Sequence, residues 1–158
     1  MSYEFNADEV FGMAEQIERN GKEFYRAAAE SVDDPENRDL LSHLADMEVQ
    51  HEEIFKSLRK ELSTSETEET TFDAAGEAGQ YLKAFADSHV FYKKEIDVTT
   101  LEKIFRAAIQ AEKDSIVFYL GLKDAISLSH GKEQLNKIIK EEMGHLKILN
   151  TELARLKD

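Results

Sequence analysis

The spacing of its apolar residues is the feature that most constrains how this chain can fold. They recur every three or four positions over four long stretches, which is the pattern of amphipathic helices. Only one proline and seven glycines occur among 158 residues, so the turn-forming residues that would separate short strands are few. We therefore predict an all-α protein that forms a single domain over residues 1–158.

Capping residues and loops place the helix boundaries. Asp34 is a good N-cap ahead of Pro35, Thr99 and Glu102 have the spacing of a capping box, and Gly131 is a typical helix stop. The expected helices are Asp8–Val32, Pro35–Leu62, Thr99–Ser129 and Lys132–Leu156.

The connections between these helices predict the topology. Short connections make helices 1 and 2, and helices 3 and 4, two antiparallel hairpins. More than thirty residues join helix 2 to helix 3, enough to cross the whole bundle. This crossover is expected to contain a short helix, Asp73–Asp87, with Tyr81, Leu82 and Phe85 facing inward. The predicted fold is a ferritin-like four-helix bundle with one long crossover.

Each of the four helices carries a glutamate in the middle of its apolar seam. In helices 2 and 4 a histidine follows three residues later, and residues at that spacing share one helix face. The halves also repeat, since 30 residues separate the two glutamates of each hairpin and a Phe-Tyr pair follows the first glutamate of each at the same offset. The pattern predicts a duplicated hairpin around a two-fold site built from Glu18, Glu48, His51, Glu112, Glu142 and His145.

The negative charge of these buried carboxylates must be balanced by positive charge. One bare carboxylate costs several kcal/mol to bury, and no lysine or arginine occupies the seams. Two divalent cations would supply the missing positive charge, and one Glu from each of two helices plus Glu-x-x-His from the other two is the ligand set of dinuclear bundle proteins. A single Glu-x-x-His motif usually lies on a solvent-exposed helix face. Two such motifs in register with two further glutamates favour a metal site instead.

Oxygen and imidazole ligands suit two iron ions, with manganese or zinc as alternatives. We expect Glu48 and Glu142 to bridge the ions, Glu18 and Glu112 to be terminal ligands, and each histidine to bind one ion. No catalytic residue beyond the ligands and no organic cofactor is predicted.

Several residues beside this site leave alternatives open. Gly21 provides space beside Glu18, either for substrate access or for close helix packing. Tyr25 and Tyr119 are core aromatics that can also hydrogen-bond to ligand carboxylates or carry electrons. Glu141 is expected to be solvated or to support a ligand.

The net charge and the composition argue against several other kinds of function. The formal net charge of −13 opposes binding to nucleic acid and to anionic membranes. With no cysteine, disulfides, thiol catalysis and iron–sulfur clusters are excluded. No signal peptide or membrane-spanning run is evident, so we expect a cytoplasmic protein.

Four motifs give the chain a family resemblance: ERNGKEFY (18–25), MEVQH (47–51), AEKDSIVFY (111–119) and EEMGH (141–145). Together they resemble rubrerythrin-like proteins of the ferritin-like superfamily over nearly the whole chain. The resemblance implies a di-iron site that turns over hydrogen peroxide or dioxygen in response to oxidative stress, and a homodimer.

Two departures from that family matter. Rubrerythrins carry a cysteine-ligated rubredoxin domain, whereas this chain has no cysteine, so an external, rubredoxin-like electron donor is expected. Rubrerythrins also usually have a second helix-3 glutamate where this chain has Ser115, which leaves one metal position open. The alternatives are an iron-storage protein of the ferroxidase type and a non-catalytic metal-binding bundle.

Overall fold

Four long helices form the molecule. The computed structural model describes residues 7–63, 80–82, 84, 96–126 and 129–157. The helices are α1 (Ala7–Ser31), α2 (Pro35–Ser63), α3 (Leu101–Ala125) and α4 (Ser129–Arg155). The predicted bounds of α1 and α2 are correct to within one residue. None of the helices in the described ranges is long and apolar enough to cross a membrane.

The turn into α2 is capped as predicted, but the bounds of α3 differ. The Asn37 amide donates to the Asp34 carboxylate at 3.1 Å, which confirms that cap. The prediction of Thr99 as the α3 N-cap is wrong, because Thr100 holds that position and its hydroxyl accepts from the Lys103 amide at 3.2 Å.

The turn between α3 and α4 also differs from the prediction. Helix α3 ends at Ala125, so Gly131 does not stop it and instead lies in the first turn of α4. Ile126 has extended backbone angles and is only 2% exposed, in one of the apolar clusters of the core. Burial of this isoleucine therefore sets the turn between the two helices.

The helices pack as two hairpins, α1 with α2 and α3 with α4. Two apolar clusters fill the interior. One joins the start of α1 and the end of α2 to the end of α3 and the start of α4, and it includes Phe11, Phe55 and Leu135. The other joins the opposite ends and includes Leu41, Phe105 and Leu149. The seam glutamates lie between the two clusters, so the site is a polar layer within an apolar core.

The described part of the crossover packs against α3. Gln80, Tyr81, Leu82 and Ala84 are helical, and Leu82 is fully buried as predicted. The prediction that Tyr81 faces inward is wrong, because it is 39% exposed. Its ring crosses the outside of α3 at Gly121, where a β-carbon would lie 2.4 Å from the ring, and its hydroxyl donates to the Val117 carbonyl at 3.0 Å. Phe85 and the rest of the expected short helix lie outside the described residues.

Core packing around the site predicts a sharp contrast between two leucines. Leu44 is fully buried and Leu120 is 42% exposed. Leu44→Ala should lower the free energy of unfolding by about 2–5 kcal/mol, because it leaves a cavity in close-packed surroundings. Leu120→Ala, the matched control, should change it by less than about 0.5 kcal/mol. Urea unfolding in chelator measures both, and equal effects would contradict the described core.

Candidate metal centre

The structure brings all six predicted site residues together in the polar layer. They form two groups of possible ligands whose donor atoms lie within 4.8 Å of one another. One group is Glu18, Glu48, His51 and Glu142, and the other is Glu48, Glu112, Glu142 and His145. All six residues are buried, with at most 5% of the surface of any one exposed. The two groups share Glu48 and Glu142, one from each hairpin.

Glu142 points one carboxylate oxygen toward each histidine. Its Oε1 lies 2.7 Å from His51 Nδ1, and its Oε2 lies 3.9 Å from His145 Nδ1. His51 Nδ1 is also 3.5 Å from Glu18 Oε2, and His145 Nδ1 is 3.6 Å from Glu112 Oε1. The imidazole rings are nearly parallel, with centroids 6.2 Å apart. This carboxylate therefore spans both halves of the centre.

The two core tyrosines hold the outer carboxylates. The Tyr25 hydroxyl donates to Glu112 Oε1 at 2.6 Å, and the Tyr119 hydroxyl donates to Glu18 Oε1 at the same distance. Each bond crosses from one hairpin to the other, so the pair follows the two-fold repeat. Burial, followed by the charge of the bonded glutamate, raises the pKa of each tyrosine well above its usual value. Both hydroxyls therefore stay protonated and remain donors.

Five buried ligand atoms of the centre form no hydrogen bond of acceptable geometry, although they lie close to one another. These buried atoms are Glu18 Oε2, His51 Nδ1, Glu112 Oε2, Glu142 Oε1 and His145 Nδ1. They converge on one another, and polar atoms buried without partners are rare in folded proteins. A pair of cations would satisfy all of them together, so the residues present fit a dinuclear metal site.

Other buried carboxylates in the described ranges differ by having basic partners. Glu15 is 7% exposed and accepts from Arg59 at 2.7 Å. Glu52 is 6% exposed and lies 3.5 Å from Arg19. None of the four central glutamates forms an ion pair with a lysine or arginine of the described chain. Their positive partners must come from the histidines or from bound cations.

Burial and repulsion between the central carboxylates favour a protonated Glu48. Burial, then the charges of Glu18 and Glu112, raise the pKa of Glu48 well above its usual 4.5. Burial opposes a charged His51, but the nearby carboxylates of Glu18 and Glu141 outweigh it and raise the pKa of His51 above 6.5. Without metal, the centre therefore keeps protons that an ion must displace.

Glu141 orients His51, a contact that the sequence left open. Its Oε2 lies 2.7 Å from His51 Nε2, and a carboxylate there selects the tautomer that carries the proton on Nε2. When an ion displaces the second proton of His51, Nδ1 would present its lone pair to the metal position. The two-fold repeat offsets the halves by 94 residues (112 − 18 and 142 − 48), which places Met47 opposite Glu141. Methionine cannot hold His145 in the same way, so the halves differ here.

The space that Gly21 leaves lies against Glu48 of α2. A β-carbon at Gly21 would lie 3.2 Å from Glu48 Cδ, tighter than ordinary contact. Ser115, at the corresponding position in α3, bonds back to the Ala111 carbonyl at 2.9 Å. Both small residues line a cleft between α1 and α3 that reaches the centre, and this favours access over close packing as the role of the glycine.

Comparison with known proteins agrees with the geometry. A family model described as Rubrerythrin matches residues 9–153. A crystal structure from Thermotoga maritima, of a protein proposed to be a ferritin-like diiron-carboxylate protein, is 26% identical to this chain. That likeness covers 100% of both chains with a TM-score of 0.71, which confirms the ferritin-like bundle. No curated protein matches the chain at a significant level.

The raised pKa values predict how metal-free protein responds to pH. Glu48 and His51 bind protons more tightly in the folded protein than in the unfolded chain. Each proton therefore stabilises the fold fully below the unfolded pKa, which is 4.5 for Glu48 and 6.5 for His51. That stabilisation is lost as pH rises through the higher pKa of the folded protein. The lowered pKa of Asp8 affects stability only below pH 3.8, which is more acidic than the pH range considered for Glu48 and His51.

Urea unfolding in chelator should therefore show stability falling from pH about 5 to about 8. Zinc-loaded protein should gain stability relative to metal-free protein as pH rises, because ligands must lose protons to bind. Glu48→Gln should flatten the decline in chelator. A metal-free protein that becomes more stable across this range would contradict the protonation described.

Proposed function

The chain belongs to the rubrerythrin family, and from this premise we propose that it is a di-iron oxidoreductase that reduces hydrogen peroxide or dioxygen with electrons from an external donor. The observation that carries the proposal is the pair of buried ligand groups sharing Glu48 and Glu142. Oxygen and imidazole donors without thiolate suit iron.

Each ligand group would hold one ion. Glu18 and His51 belong to one group alone, and Glu112 and His145 to the other. Glu142 points one oxygen toward each histidine and belongs to both groups, so it would be available to both ions. Four carboxylates then balance the charge of two divalent ions, so the dinuclear form removes the repulsion that the metal-free layer contains.

Two iron ions, when bound, would supply the two electrons that cleavage of the peroxide O–O bond requires. The protein's part is to hold and shield the reacting atoms. Tyr25 and Tyr119 keep protons on their hydroxyls and orient Glu112 and Glu18. The apolar clusters above and below the layer exclude bulk water, which strengthens the electrostatic interactions within it.

Metal content and the reaction with peroxide test the proposal directly. Protein purified from iron-supplemented cells should contain about two irons per chain, and the reduced form should develop oxo-bridged ferric absorption when peroxide is added. Many irons per chain in a large hollow oligomer would instead support storage. Zinc or no metal, without a spectral response, would support a non-catalytic bundle. The homodimer and the cytoplasmic location stay predictions.

Removal of a shared carboxylate should abolish the dinuclear centre. Glu142→Gln replaces a charged ligand that serves both groups, so we expect the metal content to fall from about two ions to one or none. Glu53→Gln is the matched control, since the Glu53 side chain is 67% exposed and pairs with Lys56 at 3.3 Å, away from the centre. Elemental analysis of both variants after gel filtration gives the answer. Retention of two ions in Glu142→Gln would contradict a bridging role.

The single carboxylate that orients His51 predicts unequal metal sites. Glu141→Gln should weaken binding of one ion by about 10–100-fold and leave the other nearly unchanged, because only His51 depends on it. Glu133→Gln, an exposed change on the same helix, serves as control. Calorimetric zinc titration of metal-free protein separates the two binding steps. Equal weakening of both steps would show that Glu141 acts on the whole centre.

A further inference from the structure

A cleft between α1 and α3 opens on the side of the centre away from the histidines. Its volume is about 460 Å³, within the range of roughly 300–1,000 Å³ typical of small-molecule sites. His51 and His145 come from α2 and α4, whereas the cleft walls come from α1, α3 and the segment before α3, with Glu48 of α2 at their base. A molecule in the cleft would therefore approach the ligand sphere from its open face.

The cleft reaches the carboxylates themselves. Glu48, Glu112 and Tyr25 form part of its lining. Glu112 is 2% exposed, and its Oε2 is buried without a hydrogen-bond partner. Gly21 and Ser115 keep the passage open, since neither places a large side chain over the carboxylates. The cleft is therefore continuous with the candidate metal centre.

The lining selects for an uncharged ligand. Apolar side chains such as Ile17, Phe24 and Val98 make up most of the wall. The polar part of the lining consists of carboxylates, amides and Ser115, and Asp114 accepts from Gln110 at 2.9 Å. No lysine, arginine or histidine occurs among the described residues that line the cleft. An anionic ligand would meet only negative charge, on a chain whose net charge is −13. A mostly apolar molecule with hydroxyl donors fits these walls.

We propose that this cleft binds a small, uncharged reductant of the hydroquinone class and that this molecule supplies the electrons for peroxide reduction. The inference rests on the proposed function and names its donor. The 158 residues contain no cysteine to hold an iron–sulfur cluster, so this domain takes its electrons from a donor that binds to it. Tyr25 lines the cleft and donates to Glu112, and it thus connects the bound donor to the centre.

The reaction balances without a further reagent. The hydroquinone loses two electrons and the protons of its two hydroxyl groups and becomes a quinone. Hydrogen peroxide accepts the electrons and protons, its O–O bond breaks, and two waters form. A rubredoxin-like protein is the other source of electrons, and the test below distinguishes the two.

Binding is tested first with a probe that cannot be oxidised by the metal. The full chain is loaded with redox-inert zinc and titrated with 2-naphthol, whose fluorescence is selectively excited because the chain has no tryptophan. Ala111 lines the cleft, so Ala111→Phe should fill it and weaken binding by at least about tenfold. Ala154→Phe adds the same side chain at an exposed position of α4 and should leave affinity within about twofold. Unchanged zinc content and thermal midpoint verify that both variants fold.

The donor role is tested with iron-loaded protein, 1,4-naphthohydroquinone and hydrogen peroxide. One quinone per peroxide, formed at least about tenfold more slowly by Ala111→Phe, supports the inference. The absence of 2-naphthol binding, or equal binding by Ala111→Phe, overturns it. A cleft closed by a second copy of the chain would give that result, together with a changed mass in Ala111→Phe.

Failure of the donor role and failure of the proposed function give different results. If reduced iron protein reacts with peroxide but only an iron–sulfur protein sustains turnover, the hydroquinone role is overturned and the proposed function stands. If the reduced iron form does not react with peroxide at all, the proposed function fails and the donor role fails with it.

Discussion

Four carboxylates buried in one layer, without a lysine or arginine among their described neighbours, are the constraint on which this structure depends. Apolar clusters on both sides hold them there and prevent water from relieving their repulsion. Other buried glutamates, such as Glu15, have arginine partners, so the central four are the exception. Protons on Glu48 and His51 reduce the charge without metal, and two cations satisfy the donors more completely.

The duplicated hairpin explains how one layer can serve two ions. Each half contributes a glutamate on its first helix and Glu-x-x-His on its second, and each core tyrosine bonds to the glutamate of the other half. Two differences between the halves lie beside the centre. Glu141 corresponds to Met47, and Gly21 corresponds to Ser115. The first difference affects only the histidine side, and the second affects only the cleft side.

The two sides of the centre therefore have different tasks. On the side of α2 and α4, His51 is held by its bond to Glu141, which is 30% exposed and reaches water. On the side of α1 and α3, small residues leave room for a molecule to approach the carboxylates. The bonded histidine on one side and the open cleft on the other support the redox function with an external donor that we propose.

The sequence by itself determined the helices, the seams and the six residues of the polar layer. Each of these depends on the spacing of residues along one helix, because residues three or four apart share a face whatever the helix packs against. Only the tertiary structure decided the rest. Glu141 lies off the seam and meets His51 across α2 and α4, burial of Ile126 ends α3 before Gly131, and the cleft exists because α1 and α3 stand apart. Each of these features depends on how two helices pack together. The spacing of apolar residues within one helix does not determine its distance from another helix.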